Sequence, residues 1–279
     1  MRRPIVMALM ACAAILAACC TSPARAQSAN KDRDNCSEGR SPELIIAACD
    51  AVVASGTETS ENLARAFNNR GLAYAELNDL PRAIAAFDDA IRVNPMYSAA
   101  YSNRGGVFAM RGDYARAIAD INEALRLDPA NAQGFRNRAL TYQFQGDYSR
   151  AAVDFDRATA LDPQNAEILN GRCWVRVLWG RQFDAALRAC NEALRIAPGD
   201  ANTLNSRAAV RFLLNDFANA ALDYDASYRL QPSMTGSLYG RGVARLRLGQ
   251  TELGHADISV AISRDADVAA RYAAFGLRP

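Results

Sequence analysis

Prolines recur along this chain at a nearly constant interval. Pro95, Pro129, Pro163, Pro198 and Pro232 are separated by 34, 34, 35 and 34 residues, and each follows a run of helix-forming residues. Because proline cannot continue a helix, each one ends a helix and precedes the next. A period of this length indicates a repeat protein in which each unit packs against its neighbours.

Each period divides into two short helices joined by a tight turn. Residues that tolerate the left-handed backbone conformation mark the turns: Asn78, Gly112, Gly146, Gly180 and Asn215. Four of these are followed directly by an aspartate that is predicted to cap the second helix: Asp79, Asp113, Asp147 and Asp216. Small residues recur where the two helices must approach, and a larger residue fills the space between them: Phe87, Ile121, Phe155, Cys190, Tyr224 and Ile258.

These columns resemble the tetratricopeptide repeat family. Gly71-Leu72-Ala73-Tyr74, with Ala83, Phe87, Ala90 and Pro95, matches nearly every signature position of that family. The Asn-Arg-Gly runs resemble those of exported bacterial members of the family. The resemblance covers residues 64–268 and implies an all-α, right-handed superhelical solenoid of six repeats. Their predicted bounds are 64–97, 98–131, 132–165, 166–200, 201–234 and 235–268.

The segments flanking the repeats are predicted to be a linker, a half-repeat and a cap. Residues 27–40 are polar and are interpreted as a linker. Residues 41–63 look like a degenerate half-repeat, with the second helix of that repeat over 43–53. Residues 269–279 form the C-terminal cap, with one amphipathic helix expected over 268–275.

The first 26 residues are typical of a signal peptide. An arginine pair precedes an uncharged apolar run over 5–20, and Ala24-Arg25-Ala26 provides a small-x-small cleavage site. The run is shorter than the ~20 residues of a spanning helix, so no transmembrane segment is expected. Residues 16–19 also resemble a lipobox. Two routes therefore remain open, a periplasmic protein and an envelope lipoprotein anchored at Cys19.

Four cysteines follow the predicted leader, an even number that can pair fully. Cys173 lies in the glycine column of a first helix and Cys190 in the large-residue column of the second, and these columns face each other within one hairpin. We therefore predict structural disulfides Cys173–Cys190, contributing ~3 kcal/mol, and Cys36–Cys49. A redox or metal site is the alternative, but the chain has no Cys-x-x-Cys and no histidine near either pair.

An arginine precedes the glycine column in all six repeats, where the family prefers leucine: Arg70, Arg104, Arg138, Arg172, Arg207 and Arg241. The second helix of the same repeat offers a polar acceptor at one fixed offset: Asp88, Asn122, Asp156, Asn191, Asp225 and Ser259. Arginine can fork onto a carboxylate with two hydrogen bonds. We therefore expect a structural ladder of contacts between the helices of each repeat.

The resemblance implies that ligands bind to the concave wall formed by the first helices. In the first three repeats its ligand-facing positions include Asn69, Asn103, Arg136 and Asn137. Asparagine carries a donor and an acceptor, so this column is predicted to grip a peptide backbone. The alternative is that the asparagines bond to neighbouring helices. The carboxylate clamp of the family needs lysine and asparagine where this chain has Asn68 and Leu72, so that function is not expected.

In the fourth and fifth repeats the same positions are apolar and include Trp174, Leu178, Phe212 and Leu213. Arginines replace the family's aromatic residue nearby, at Arg176, Arg211 and Arg245. An apolar patch bordered by arginine is typical of an interaction hot spot, so a partner site is predicted here. The alternative is that the extra residue near Gly180 rotates Trp174 or Trp179 into the core.

Composition and motifs argue against catalysis and nucleic-acid binding. The 32 Lys and Arg residues nearly balance the 30 Asp and Glu residues, without the basic excess typical of nucleic-acid binders. The chain has no glycine-rich phosphate loop or Gly-x-Ser-x-Gly motif, and one histidine, His255. We expect no catalytic residue, metal or cofactor. The predicted function is an exported scaffold for a protein or peptide partner, with an assembly factor of an envelope complex as the alternative.

Overall fold

Each predicted repeat folds into two antiparallel helices. The computed structural model describes residues 23–279, in which fifteen helices and no strand are found. The helices are α1 (Pro23–Glu38), α2 (Pro42–Ala54), α3 (Ser60–Glu76), α4 (Leu80–Val93), α5 (Ser98–Met110), α6 (Tyr114–Leu127), α7 (Ala132–Phe144), α8 (Tyr148–Leu161), α9 (Ala166–Trp179), α10 (Phe183–Ile196), α11 (Ala201–Leu213), α12 (Phe217–Leu230), α13 (Thr235–Arg247), α14 (Thr251–Arg264) and α15 (Val268–Ala274). The all-α repeat fold is thereby confirmed. The apolar run of the predicted leader and Cys19 lie outside the described residues.

The turns between paired helices follow the local sequence. Asn78, Gly112, Gly146, Gly180 and Asn215 all have positive φ angles, between 58° and 78°. The carboxylates of Asp79, Asp113, Asp147 and Asp216 each accept a hydrogen bond from a backbone N–H three residues later. Both predictions rest on backbone chemistry within a few residues, and both are confirmed.

Within each pair, a large residue of the second helix fills the space left by a small residue of the first. Phe87, Phe155 and Tyr224 are fully buried. A Cβ atom added to Gly71 would lie 2.6 Å from the Phe87 ring, and one added to Gly105 would lie 2.8 Å from the Ile121 side chain. These glycines therefore set how closely the two helices approach.

The N-terminal segment differs from its prediction. Residues 27–38, interpreted as a linker, belong to α1, which packs against α2 and α3. The disulfide between Cys36 and Cys49 ties α1 to α2, and Arg33 forms a 2.6 Å ion pair with Glu58. These contacts stabilise α1 as a helix, although the polar composition of the segment alone does not indicate one. The supposed half-repeat helix α2 therefore has a partner helix.

The first helices of successive hairpins, α3, α5, α7, α9, α11 and α13, line the inside of the curve. Each of them contacts the next one in the series. No such contact joins α4, α6, α8, α10, α12 and α14 to one another in the described part of the chain. Because the first helices are closer together, the stack curves around them, and they form the concave face.

The arginine column forms a ladder, but its partners differ from those predicted. The Arg138 guanidinium donates to both carboxylate oxygens of Asp154, at 2.7 and 2.9 Å, and to the Asn122 side chain at 2.6 Å. Asp154 is the acceptor within the same repeat, whereas Asn122 belongs to the preceding one. The hydrogen bonds to Asp154 raise the pKa of Arg138.

The same arrangement recurs in the second, fifth and sixth repeats, as Asp88–Arg104–Asp120, Asn191–Arg207–Asp223 and Asp225–Arg241–Asp257. The predicted acceptors are therefore part of the ladder, but most pair with the arginine of the next repeat. Ser259 lies in the sixth and last repeat, so no arginine of a following repeat can pair with it. Each of the arginines at 104, 138, 207 and 241 joins two second helices through one first helix, so the ladder links repeats as well as helices.

The fourth repeat departs from this pattern. Arg172 reaches back to Asp156 at 2.7 Å, but the position sixteen residues after it is Arg188 rather than an aspartate. Arg176, only 2% exposed, also forks onto Asp156, and its burial lowers its pKa. In place of a large side chain this hairpin carries the predicted disulfide between Cys173 and Cys190.

Candidate functional site

The concave face of the first three repeats carries an open apolar groove. Large apolar side chains of α3, α5 and α7 remain in solvent: Leu72 is 46% exposed, Met110 64% and Phe144 63%. They border a cavity of about 290 Å³ whose wall also includes Asn103 and Asn137. We call the surface formed by these five residues the open groove. Exposed apolar side chains that line one cavity are typical of a surface that binds another molecule.

A second and larger cavity adjoins the open groove. It has a volume of about 640 Å³ and lies between α7, α9 and α11, and we call it the deep pocket. Leu140 lines both cavities, so the two adjoin at α7. Trp174 provides an aromatic wall, and Arg136 forms a 3.1 Å ion pair with the largely exposed Glu167 at its side.

Two polar atoms in the wall of the deep pocket have no hydrogen-bond partner. They are the side-chain oxygens of Gln143 and Asn170, and both are buried. A buried acceptor without a donor costs about 1–3 kcal/mol. A ligand that brings N–H groups to these oxygens would recover that free energy. The deep pocket therefore favours a ligand with donor groups, such as a polypeptide backbone.

The asparagine column joins neighbouring elements. Asn103 donates to the Asn68 side chain at 2.8 Å, and Asn137 donates to the Ser102 hydroxyl at 3.3 Å. Asn69 donates to the carbonyl oxygen of Cys36 at 3.1 Å. These contacts match the alternative interpretation, in which the asparagines bond between helices. Contact of Asn103 and Asn137 with a ligand remains a prediction, because both also line the open groove.

The predicted apolar patch of the fourth and fifth repeats is largely covered. Phe212 is 5% exposed and packs edge-on against Phe217. The Phe275 ring lies edge-on to Trp174, with 5.2 Å between ring centroids, and both Leu213 and Phe275 pack on the same core. The C-terminal segment therefore lies across the patch, and partner binding there stays a prediction. Leu178 is partly buried.

The arginines next to this patch have internal partners. Arg176 binds Asp156, Arg211 donates to Asp223 at 2.7 Å, and Arg245 donates to Asp257 at 2.6 Å. In the first three repeats an aromatic residue takes this position. These arginines therefore reinforce the ladder, and their role at the border of a binding surface stays a prediction.

The residues that sequence reasoning missed are the exposed apolar ones of the open groove and the amides Asn170 and Asn205 of the deep pocket, whereas Gln143 occupies one of the ligand-facing positions that the family resemblance implies. Met110 and Phe144 are the last residues of α5 and α7. Their signal is the presence of a large apolar side chain directly before a solvent-exposed turn, where a polar residue would be expected. Asn205 of the deep pocket accepts hydrogen bonds from Ser237 and Tyr272.

Comparison with known proteins supports the tetratricopeptide repeat family. Two models of the tetratricopeptide repeat match residues 68–132 and 105–170. No curated protein matches the sequence at a significant level. Within residues 23–279, no group of three or more His, Cys, Asp or Glu side chains could hold a metal ion. None of the helices in that range has the length and apolar character needed to cross a bilayer.

Solved structures share the fold along most of the chain. A tetratricopeptide repeat protein from Parabacteroides merdae is 18% identical, with a TM-score of 0.62 over 90% of this chain and 98% of the other. PilW, described as a type IV pilus biogenesis factor, is 16% identical, with a TM-score of 0.65 over 72% of this chain and 93% of its own. YrrB, described as having an unusual peptide-binding site, is 20% identical, with a TM-score of 0.54 over 70% of this chain and 97% of its own. At these identities the likeness concerns the fold.

Proposed function

We propose that this chain, whose hairpins match the tetratricopeptide repeat, is an exported scaffold that binds a polypeptide segment along its concave face. The open groove takes apolar side chains of the partner. The deep pocket takes an adjoining stretch of its backbone. A protein-interaction scaffold is the function that the fold and the similar structures support, and the location of the site on α3, α5, α7 and α9 is our inference.

The observation that carries the proposal is the combination of exposed apolar side chains with buried acceptors on one continuous wall. Met110 and Phe144 offer apolar area that water does not solvate well, at about 25 cal/mol per Å² buried. Gln143 and Asn170 offer oxygens that need donors. A polypeptide supplies both apolar side chains and regularly spaced N–H groups, so it matches this wall better than a purely apolar ligand does.

Two disulfides support action outside the cytoplasm. Cys36–Cys49 and Cys173–Cys190 are paired in the structure, and disulfides persist in oxidising compartments. The leader features of residues 1–26 agree with export. Cleavage and lipidation at Cys19 are distinguished by the intact mass of the protein purified from cells, since lipidation adds the mass of the acyl chains.

The proposal is tested with peptides selected from a random library on the purified protein. Their affinities are then measured by fluorescence anisotropy for wild type and for the double variant Met110→Ser/Phe144→Ser. We expect the double variant to weaken binding by about tenfold or more, because two apolar contacts of at least ~1.4 kcal/mol together are lost.

The matched control is the double variant Leu222→Ser/Leu253→Ser. These leucines are 67% and 55% exposed, but they lie on second helices, away from the concave face. The control should bind the peptides as wild type does. Equal loss in both double variants, or loss in the control alone, would overturn the proposal. Selection of no peptide, together with a stable oligomer by light scattering, would favour an assembly subunit instead.

A further inference from the structure

The C-terminal segment, residues 268–279, lies across the first helices of the last three repeats. Helix α15 contacts α13 as well as α14. Beyond it, Phe275 packs against Trp174 of α9, and Leu277 is fully buried. The segment therefore reaches from the sixth repeat back to the fourth, over the concave positions where the preceding repeats are open.

Specific polar and conformational features hold the end of the chain. Arg247 donates to the carbonyl oxygen of Arg278 at 3.2 Å, a contact with backbone that any residue could supply. Gly276 has a φ of 95°, a conformation that side-chain-bearing residues rarely adopt, and a Cβ atom there would lie 3.2 Å from Leu213. The pattern Phe275-Gly276-Leu277 is thus matched to this surface.

The segment consists of an anchored part and a peripheral part. Val268 and Tyr272 belong to the core of the last repeats, and the Tyr272 hydroxyl donates to Asn205 at 2.9 Å. Phe275 keeps part of its surface in solvent, and Arg278 and Pro279 are exposed. Between them, Leu277 is fully buried in the same core, so residues 275–279 leave the surface only when the Leu277 side chain is withdrawn while α15 stays in place.

We propose that residues 275–279 are an internal ligand of a second recognition site, formed by Trp174, Leu213 and Arg247. The site takes a polypeptide segment with a Phe-Gly-Leu sequence, with the phenylalanine against Trp174 and a backbone carbonyl on Arg247. A partner that carries such a segment competes with the chain's own terminus. This site shares Trp174 with the deep pocket but is separate from the open groove on α3, α5 and α7.

The test empties the site in the full-length protein and offers the segment from outside. In the variant Phe275→Ser/Leu277→Ser both apolar side chains are lost while Val268 and Tyr272 remain. The probe is a fluorescein-labelled peptide with the sequence of residues 272–279, and binding is followed by anisotropy. The control peptide has serine in place of the phenylalanine and the leucine.

We expect saturable binding of the probe to the double variant at least about tenfold tighter than to wild type, whose site is filled by its own terminus. The control peptide should bind neither protein. Adding Trp174→Ala to the double variant should abolish binding of the probe. The single variant Phe275→Ala provides an independent measurement should the double variant lose its circular dichroism.

Three results would overturn the inference. The first is that the double variant and the Phe275→Ala variant are both folded and neither binds the probe. The second is that the probe and the control peptide bind with equal affinity. The third is that wild type and the double variant bind the probe with equal affinity. None of them bears on the open groove, because neither Met110 nor Phe144 is changed. In each case the segment would be a structural cap and nothing more.

Discussion

The two halves of the concave face are built from the same columns but end in different states. In the first three repeats, Met110 and Phe144 remain exposed at the ends of α5 and α7. In the fifth, the corresponding Leu213 lies beneath the C-terminal segment, beside Gly276. The repeat fixes where a side chain points, whereas its exposure depends on what else lies across the face. A position in the repeat therefore predicts which way a side chain points, but it does not predict whether that side chain is accessible to a ligand.

The halves also differ in how their hairpins are held. The second and third repeats combine a forked arginine with an aromatic residue one turn later. The fourth has neither feature in full and uses a disulfide and the buried Arg176 instead. A solenoid can thus exchange one stabilising contact for another in a single unit, because each unit packs mainly on its neighbours.

The largest expected effect compares one phenylalanine from each half. Phe212→Ala should lower the free energy of unfolding by about 4 kcal/mol, because a buried ring leaves a cavity. Phe144→Ala should lower it by less than about 0.5 kcal/mol, because its ring is already largely in water. Urea unfolding followed by circular dichroism measures both. Similar losses of unfolding free energy in the two variants would mean that Phe144 and Phe212 are buried to the same extent, which would contradict the comparison.

The next effect compares the two disulfides. Cys173→Ala/Cys190→Ala should cost about 3 kcal/mol in urea unfolding under oxidising conditions. Cys36→Ala/Cys49→Ala should mainly free α1, which hydrogen exchange detects as lost protection of its amides. With reductant present, wild type and the first variant should unfold at similar urea concentrations. A persistent difference there would show that packing of the cysteines, not the bond between them, stabilises the fourth repeat.

A smaller effect tests the ladder. Arg138→Leu leaves the carboxylate of Asp154, whose side chain is 4% exposed, without its forked partner. The expected loss is about 2 kcal/mol of unfolding free energy. The control is Arg126→Leu, which breaks an exposed ion pair with Glu123 and should cost less than about 0.5 kcal/mol. Unchanged stability in Arg138→Leu would remove the ladder as a stabilising element.

The smallest effect concerns the attachment of the C-terminal segment at low pH. Hydrogen bonding from Arg271 lowers the pKa of Asp265 to about 2, below the ~3.9 of an unfolded chain. This contact therefore stabilises the segment above pH ~3.9, and the stabilisation is lost as pH falls through 2. Tryptophan fluorescence should report loosening of Phe275 from Trp174 in that range.

The variant Arg271→Gln should shift this fluorescence change to higher pH. Arg82→Gln, which breaks an equivalent pair with Asp79 far from the segment, should leave it where it is. If both variants or neither shift the change, the titration of Asp265 does not control the segment.

The features that follow from neighbouring residues could be predicted, and those that join distant parts could not. The left-handed turn at Gly112 and the cap at Asp113 depend on four or five residues. The ladder was predicted with the right arginines, but Asp88 serves Arg104 of the next repeat because the stacking of hairpins decides which carboxylate is nearer.

The candidate site depends on still longer-range contacts. The residues Trp174 and Phe275 are about a hundred positions apart, and no local pattern indicates that they meet. This contact explains why the accessible surface differs from the predicted one. The C-terminal segment covers the apolar patch of the fourth and fifth repeats, which composition favours. The open groove, which composition alone does not indicate, is left as the accessible apolar surface.

The most direct test of binding at the open groove is the position of a cross-link. A library-selected peptide carrying a benzophenone side chain is irradiated with the wild-type protein, and the modified residues are identified by mass spectrometry. The account predicts cross-links in α5 and α7, around Met110 and Phe144. Cross-links confined to the second helices α4, α6 and α8, or to residues 268–279, would contradict it.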